Sequence, residues 1–110
     1  MIARTWNGTT RPEHADAYVA HLRTRTFPQL AALPGHRGAY VLRRTARDAV
    51  AFTVVTLWES IDAIARFAGA DPEAAVVPAE AQALLATYDD RAVHWEVALD
   101  NPAQPGAKSS

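Results

Sequence analysis

The chain contains no cysteine. That absence excludes disulfides, thiolate metal sites and a cysteine nucleophile together, and it fits a reducing cytoplasm. Its only lysine is Lys108, so the basic charge is almost entirely arginine. That bias, with the abundant alanine, suggests a GC-rich bacterial genome. Eleven basic residues against twelve acidic ones leave a formal net charge of -1, which carries no electrostatic footprint for nucleic acid. No apolar run approaches the roughly 18 residues of a membrane span. The opening Met1-Ile2-Ala3-Arg4-Thr5-Trp6 lacks the apolar stretch of a signal peptide. Neither nucleic acid nor membrane is therefore expected as a partner. The five glycines offer only Gly35-x-x-Gly38, too little for a phosphate-cradling loop or a dinucleotide fingerprint. His14, His21, His36 and His94 are scattered and form no ligand cluster, so no metal is expected.

What remains is a chain of 110 residues, 49% hydrophobic and 21% charged, the profile of one soluble globular domain. The reading places that domain at residues 1–100 and a loose Pro/Gly/Ser tail at 101–110. Residues 2–9 alternate as a strand, with Ile2, Arg4 and Trp6 on one face and Ala3, Thr5 and Asn7 on the other. Thr10 and Glu13 sit at capping-box spacing with Pro12 in the first turn, and Ala15, Tyr18, Val19 and Leu22 follow at helical spacing. Pro28 ends or kinks that helix. Strands are predicted at 38–46 and 49–58, joined by a hairpin tip at Arg47-Asp48. Ser60 caps a helix striped by Ile61, Ile64, Ala65 and Ala68. Asp71-Pro72-Glu73 reads as another helical turn, a short helix from Pro78 runs through Leu84 and Leu85, and 91–99 is the last strand.

The order β-α-β-β-α-β specifies an α+β fold, the ferredoxin-like protomer with an antiparallel sheet. Helices in that arrangement cover one sheet face. Yet 49–58 is apolar on both faces, and Val93, Trp95, Val97 and Leu99 form a further apolar row. Leaving such side chains in water forgoes roughly 1.5–3 kcal/mol each, so a homodimer packed through the sheet faces is expected.

Thr56-Leu57-Trp58-Glu59-Ser60-Ile61-Asp62-Ala63, a strand ending in Leu-Trp-Glu-Ser before a helix with Phe67 near its end, resembles the antibiotic biosynthesis monooxygenase family. The loop Leu33-Pro34-Gly35-His36-Arg37-Gly38 leading into Ala39-Tyr40-Val41-Leu42, and the late His94-Trp95-Glu96-Val97, are similar to the same family. The resemblance implies a dimeric α+β barrel. It also implies either cofactor-free oxygenation of aromatic substrates or heme degradation, with cyclases and isomerases among structural relatives. In the heme branch a strand-1 Asn contacts the chemistry, and Asn7 matches. The positions matching that branch's helical Trp and heme-ligating His hold Phe67 and Val77 (or Val76), and valine cannot bind iron.

The expected activity is therefore cofactor-independent oxygenation of a phenol- or anthrone-type, polyketide-like substrate by O2, with no cofactor. Such chemistry needs a base, fixed donors for an oxyanion and a dry aromatic pocket. The catalytic candidates are Asn7 as donor, Trp58 as N–H donor and His94 as base. Tyr18, His21, Phe67 and Tyr88 are candidates for binding substrate. Each has a plainer structural reading: a strand-end Asn7, core aromatics at Trp58, Phe67 and Tyr88, a surface or interface His94, and a helix-edge His21. The pocket is expected between sheet and helices, near Asn7. Two further readings stand beside the oxygenase: a heme-binding relative, and a non-oxidative cyclase or non-catalytic binding dimer.

Overall fold

A computed structural model describes residues 1–103. Positions 104–110, most of the expected tail, lie outside the described residues. Strand β1 (Ile2–Thr10) leads through a 3-10 turn (Pro12–His14) into α1 (Ala15–His21), a π-helical segment (Leu22–Thr26) and α2 (Phe27–Ala31). The hairpin β2 (His36–Thr45) and β3 (Val50–Trp58) follows, then α3 (Ile61–Ala68), α4 (Ala79–Gln82), β4 (Leu85–Tyr88) and β5 (Val93–Glu96). The fold is ferredoxin-like α+β.

The sheet is antiparallel throughout, in the order β2-β3-β1-β4, with β5 also on β1. β4 pairs with Gly8–Thr10 and β5 with Ile2–Thr5, so two short strands share one edge of β1. The chain breaks the ladder between them at Asp89. There the backbone N–H of Asp89 donates to Asn7 O at 3.0 Å, and its carbonyl accepts from Trp6 Nε1 at 2.8 Å.

Strand alternation decides which face each residue takes. Even-numbered residues of β1 and β3 turn toward the helices. Val50, Phe52, Thr56 and Trp58 are buried there, and Tyr18 meets Phe52 edge to face at 5.0 Å. One core cluster joins Tyr18 and Leu22 to Val50, Phe52, Ala81 and Leu85; a second joins Trp58 to Leu30, Ala63 and Ile64. The opposite face is apolar and bare: Tyr40 is 58% exposed, Leu42 54% and Trp95 57%.

Ser60 caps α3 as expected, its Oγ accepting from Ala63 N at 3.2 Å. Gly35 has φ +87°, and a Cβ there would stand 2.6 Å from Ala63 Cβ, so only glycine permits this turn against α3. Other local expectations are corrected. Thr10 does not cap; the cap position is Arg11, without a side-chain hydrogen bond, and Thr10 Oγ1 is buried with no partner. Pro28 does not end its helix. A proline cannot donate to the carbonyl four residues back, and the π-helical turn immediately before it lets the chain continue to Ala31.

Leu85 is in a strand rather than a helix, because pairing with Thr10 satisfies its backbone while its side chain enters the core. Asp71–Glu73 is a turn, held by Asp71 Oδ1 accepting from Glu73 N at 3.1 Å. The last strand is shorter than 91–99, although Val97 N still donates to Met1 O at 3.0 Å.

Candidate active site

Between the helix-facing side of the sheet and the α1–α2 helix lies a cavity of about 70 Å³, or about 560 Å³ of empty space when its open mouth is counted. Val54 and Thr56 of β3 and Arg4 and Trp6 of β1 form its floor. Tyr18, His21, Leu22 and Thr26 contribute one wall, and Val76, Val77 and Pro78 contribute another. The π-helical turn puts both Leu22 and Thr26 on the cavity; such turns recur at functional sites. The Val76–Pro78 wall hangs from backbone pairing farther along. Ala75 N donates to Asp90 O at 2.9 Å and Ala92 N to Glu73 O at 2.8 Å.

His21 occupies one side of this cavity and is buried. Its Nδ1 lies 3.6 Å from Glu80 Oε2, and its Nε2 is 3.4 Å from Thr26 Oγ1. Tyr18 is buried beside it, and burial pushes its phenol above the ordinary range, so it stays a neutral O–H able to donate into the cavity. Arg4 is also buried, at 5% exposure. Its Nη1 donates to Pro72 O and, at 2.9 Å, to His94 Nε2; its Nη2 donates to Ala74 O at 2.7 Å. The guanidinium carbon stands 5.7 Å from the centre of the Phe67 ring. Thr56, the cross-strand partner of Arg4, accepts from Trp58 Nε1 at 2.9 Å, leaving its O–H free to donate.

The structure brings together Tyr18, His21 and Phe67 from the expected set. Asn7 is not with them. Out of phase with Arg4 and Trp6, it points to the bare sheet face, donating to Asp89 Oδ2 at 3.2 Å and accepting from Thr53 Oγ1 at 2.7 Å. The cavity therefore forms beside Arg4 and Trp6, not beside Asn7. Trp58 is fully buried and reaches the cavity through two residues that line it, Thr56, to which it donates, and Phe67, on which it stacks at 5.9 Å. His94 stands behind Arg4, where burial first and the Arg4 charge second push its pKa below the usual imidazole value. Accepting from a guanidinium, it is neutral and has its Nε2 occupied. Tyr88 tilts against Trp6 at 6.2 Å and borders a separate shallow groove with Asn7, Thr53 and Asp89. Arg4 and Glu80 were missed by sequence reasoning. For Arg4 a signal existed, a charged residue in phase with Ile2 and Trp6; for Glu80, on a four-residue helix, none did.

The sequence profile of the antibiotic biosynthesis monooxygenase family matches residues 1–79, most of the chain. This chain belongs to that family. Solved structures agree in fold. A candidate antibiotic biosynthesis monooxygenase from Bacillus cereus superposes with a TM-score of 0.65 at 16% identity, covering 93% of this chain and 97% of that one. SnoaB, a cofactor-independent oxygenase from Streptomyces nogalater, gives 0.57 at 17%, covering 93% and 98%. The Mycobacterium tuberculosis heme degrader MhuD, solved with two hemes in its active site, gives 0.54 at 22%, covering 93% and 100%. No curated protein sequence matches.

Proteins of this fold thus include an oxygenase and a heme degrader, and the lining of the cavity bears on which it suits. The positions expected to match the iron ligand, Val76 and Val77, do line it, and both are aliphatic. The residues at the expected ligand positions do not fit a heme iron. Among the described residues no cluster of His, Asp and Glu could hold a metal ion, and no helix is long and apolar enough to cross a membrane.

Proposed function

We propose that this family member is a cytoplasmic, cofactor-independent monooxygenase acting on a phenol- or anthrone-type aromatic with dioxygen. One observation carries the reading: an apolar cavity holds a buried imidazole backed by a carboxylate, His21–Glu80, together with a buried cation, Arg4. His21 takes the acidic proton of the substrate, and Glu80 stabilises the imidazolium so formed. Tyr18 O–H donates to the resulting anion and the positive field of Arg4, beside Thr56, favours it; such fixed groups act most strongly where water is excluded. The anion passes an electron to dioxygen, and the two radicals combine into a C–O bond. The peroxide anion takes back the proton held on His21, and loss of the second C–H proton then breaks the O–O bond, leaving a carbonyl on the substrate carbon and releasing the outer oxygen as water. All four electrons that reduce dioxygen come from the substrate carbon, two in each stage. Trp58 and His94 act as positioning residues, the first orienting Thr56 and the second holding Arg4. Asn7 and Tyr88 line the separate groove where β1 meets β4.

The bare sheet face supports the homodimer of the reading. Tyr40, Leu42, Val93 and Trp95 are each about half exposed there, and a second sheet would cover them as a dimeric α+β barrel. A second reading, a binding dimer without catalysis, draws on the size of the cavity. Its 70 Å³ is about half of a cavity that takes one benzene, ~150 Å³, so any aromatic substrate, a single ring included, must displace the Val76–Pro78 wall. Dioxygen uptake by metal-free protein with 1,8-dihydroxyanthrone decides between them. Enzyme-dependent uptake with a quinone product supports the oxygenase; ligand binding without uptake supports the other.

A further inference from the structure

Arg4 is a buried cation whose bonded partners are all neutral. They are two backbone carbonyls and the Nε2 of His94. Among the described residues no carboxylate pairs with it. Asp71, the acid that acts on its charge, gives both carboxylate oxygens to Arg91 at 3.0 and 3.2 Å. Burying an unpaired charge is expensive even after hydrogen bonds are made. A guanidinium carries five N–H groups, and three are engaged here. The remaining two are on Nε and Nη2, the pair of nitrogens that a single carboxylate can span with two parallel bonds. Phe67, against which the guanidinium rests, and Thr56, with its free O–H, line the same part of the cavity.

We propose that Arg4 makes the cavity selective for aromatic ligands bearing a carboxylate, which Arg4 and Thr56 bind while the ring packs against Phe67, Val54 and Trp6. The inference rests on this cavity being the substrate site, not on the oxygenation step. It deepens the proposed function by naming a permanent anion on the substrate, separate from the anion that forms when His21 takes a proton. The remaining length of the ring lies toward His21, the Val76–Pro78 wall moving aside to admit it.

The test compares an acid with its neutral isostere on the full chain. Calorimetric titration with 3-hydroxybenzoate and 3-hydroxybenzamide at neutral pH is expected to give at least tenfold tighter binding of the acid. The Arg4 Nε–H resonance should move on adding the acid and stay in place on adding the amide. Arg4→Gln should bring the two affinities within about twofold, while Arg4→Lys keeps part of the preference. Equal affinities in the wild-type protein, no saturable binding of the acid, or a preference that survives Arg4→Gln overturns the proposal. The wild-type comparison and the resonance stand even if a variant fails to fold. Selective binding without any oxygen uptake removes the oxygenase and leaves the selectivity. Turnover of 1,8-dihydroxyanthrone with no preference for the acid does the reverse.

Discussion

The Nδ1 of His21 lies 3.6 Å from Oε2 of Glu80, with the imidazole buried and the carboxylate largely in water. The pair spans the cavity rim: the ring can receive a proton from a substrate inside, and the carboxylate can favour the charged ring from outside. His21→Ala is expected to lower kcat for dioxygen uptake by about 100-fold or more, the usual contribution of a positioned base. Glu80→Gln should lower it less, by up to about fivefold, since an exposed partner contributes at most ~1 kcal/mol. Oxygen-electrode kinetics on both variants check this. Unchanged kcat in His21→Ala would place the base elsewhere.

His94 gives the fold a pH dependence. Its folded pKa lies below the ordinary 6.5 because burial and the Arg4 charge disfavour the imidazolium. The unfolded chain therefore takes up a proton first as the pH falls. Stability is full above about 6.5 and declines from there through the folded value. His36, desolvated against Trp58, adds to the slope with the same sign. Thermal melts between pH 7.5 and 5 should show Tm falling with acidity, and His94→Gln should flatten part of that fall. A Tm that rises on acidification would contradict the assignment.

Trp95 is 57% exposed on the bare face and donates from Nε1 to Thr5 Oγ1 at 2.9 Å. Its replacement by glutamate removes little from the core of one protomer but places a charge where a second sheet must pack. Light scattering should report a dimer for the native chain and a monomer for Trp95→Glu, with circular dichroism unchanged. A native monomer at micromolar concentration would defeat the dimer.

Ile64 is fully buried beside Trp58 and Leu30. Ile64→Ala should destabilise by about 2–5 kcal/mol, the range for deleting a large buried aliphatic chain, measured by urea unfolding.

Hemin provides a last check. With valine at positions 76 and 77, titration of the native chain is expected to give no saturable Soret shift. A stoichiometric shift would show that another residue holds the iron.

Much of the architecture is legible in the chain because strand periodicity is local. The alternation Ile2, Arg4, Trp6 against Ala3, Thr5, Asn7 names the two faces of β1, and that of Val50, Phe52, Val54, Trp58 names those of β3. The same alternation already set Asn7 on the face away from Arg4 and Trp6. The expectation of a pocket near Asn7 followed the family resemblance over the parity, and the parity prevailed because a one-residue difference turns a side chain through the sheet. Leu85–Tyr88 was not legible as a strand. Its four residues carry little pattern, and their partner, Gly8–Thr10, lies far off in sequence.

The sequence by itself determined the ferredoxin-like order, the family, and an apolar excess on both sheet faces, since all three rest on local composition and spacing. Only the tertiary structure decided the site. Arg4, His21, Phe67 and Glu80 are separated by as many as 76 residues and meet through the antiparallel register and a π-helical turn. Burial then gives them chemical meaning. The same Arg4 that would be one more solvated charge on an open strand becomes, beneath the Val76–Pro78 wall, a desolvated cation without a counter-ion.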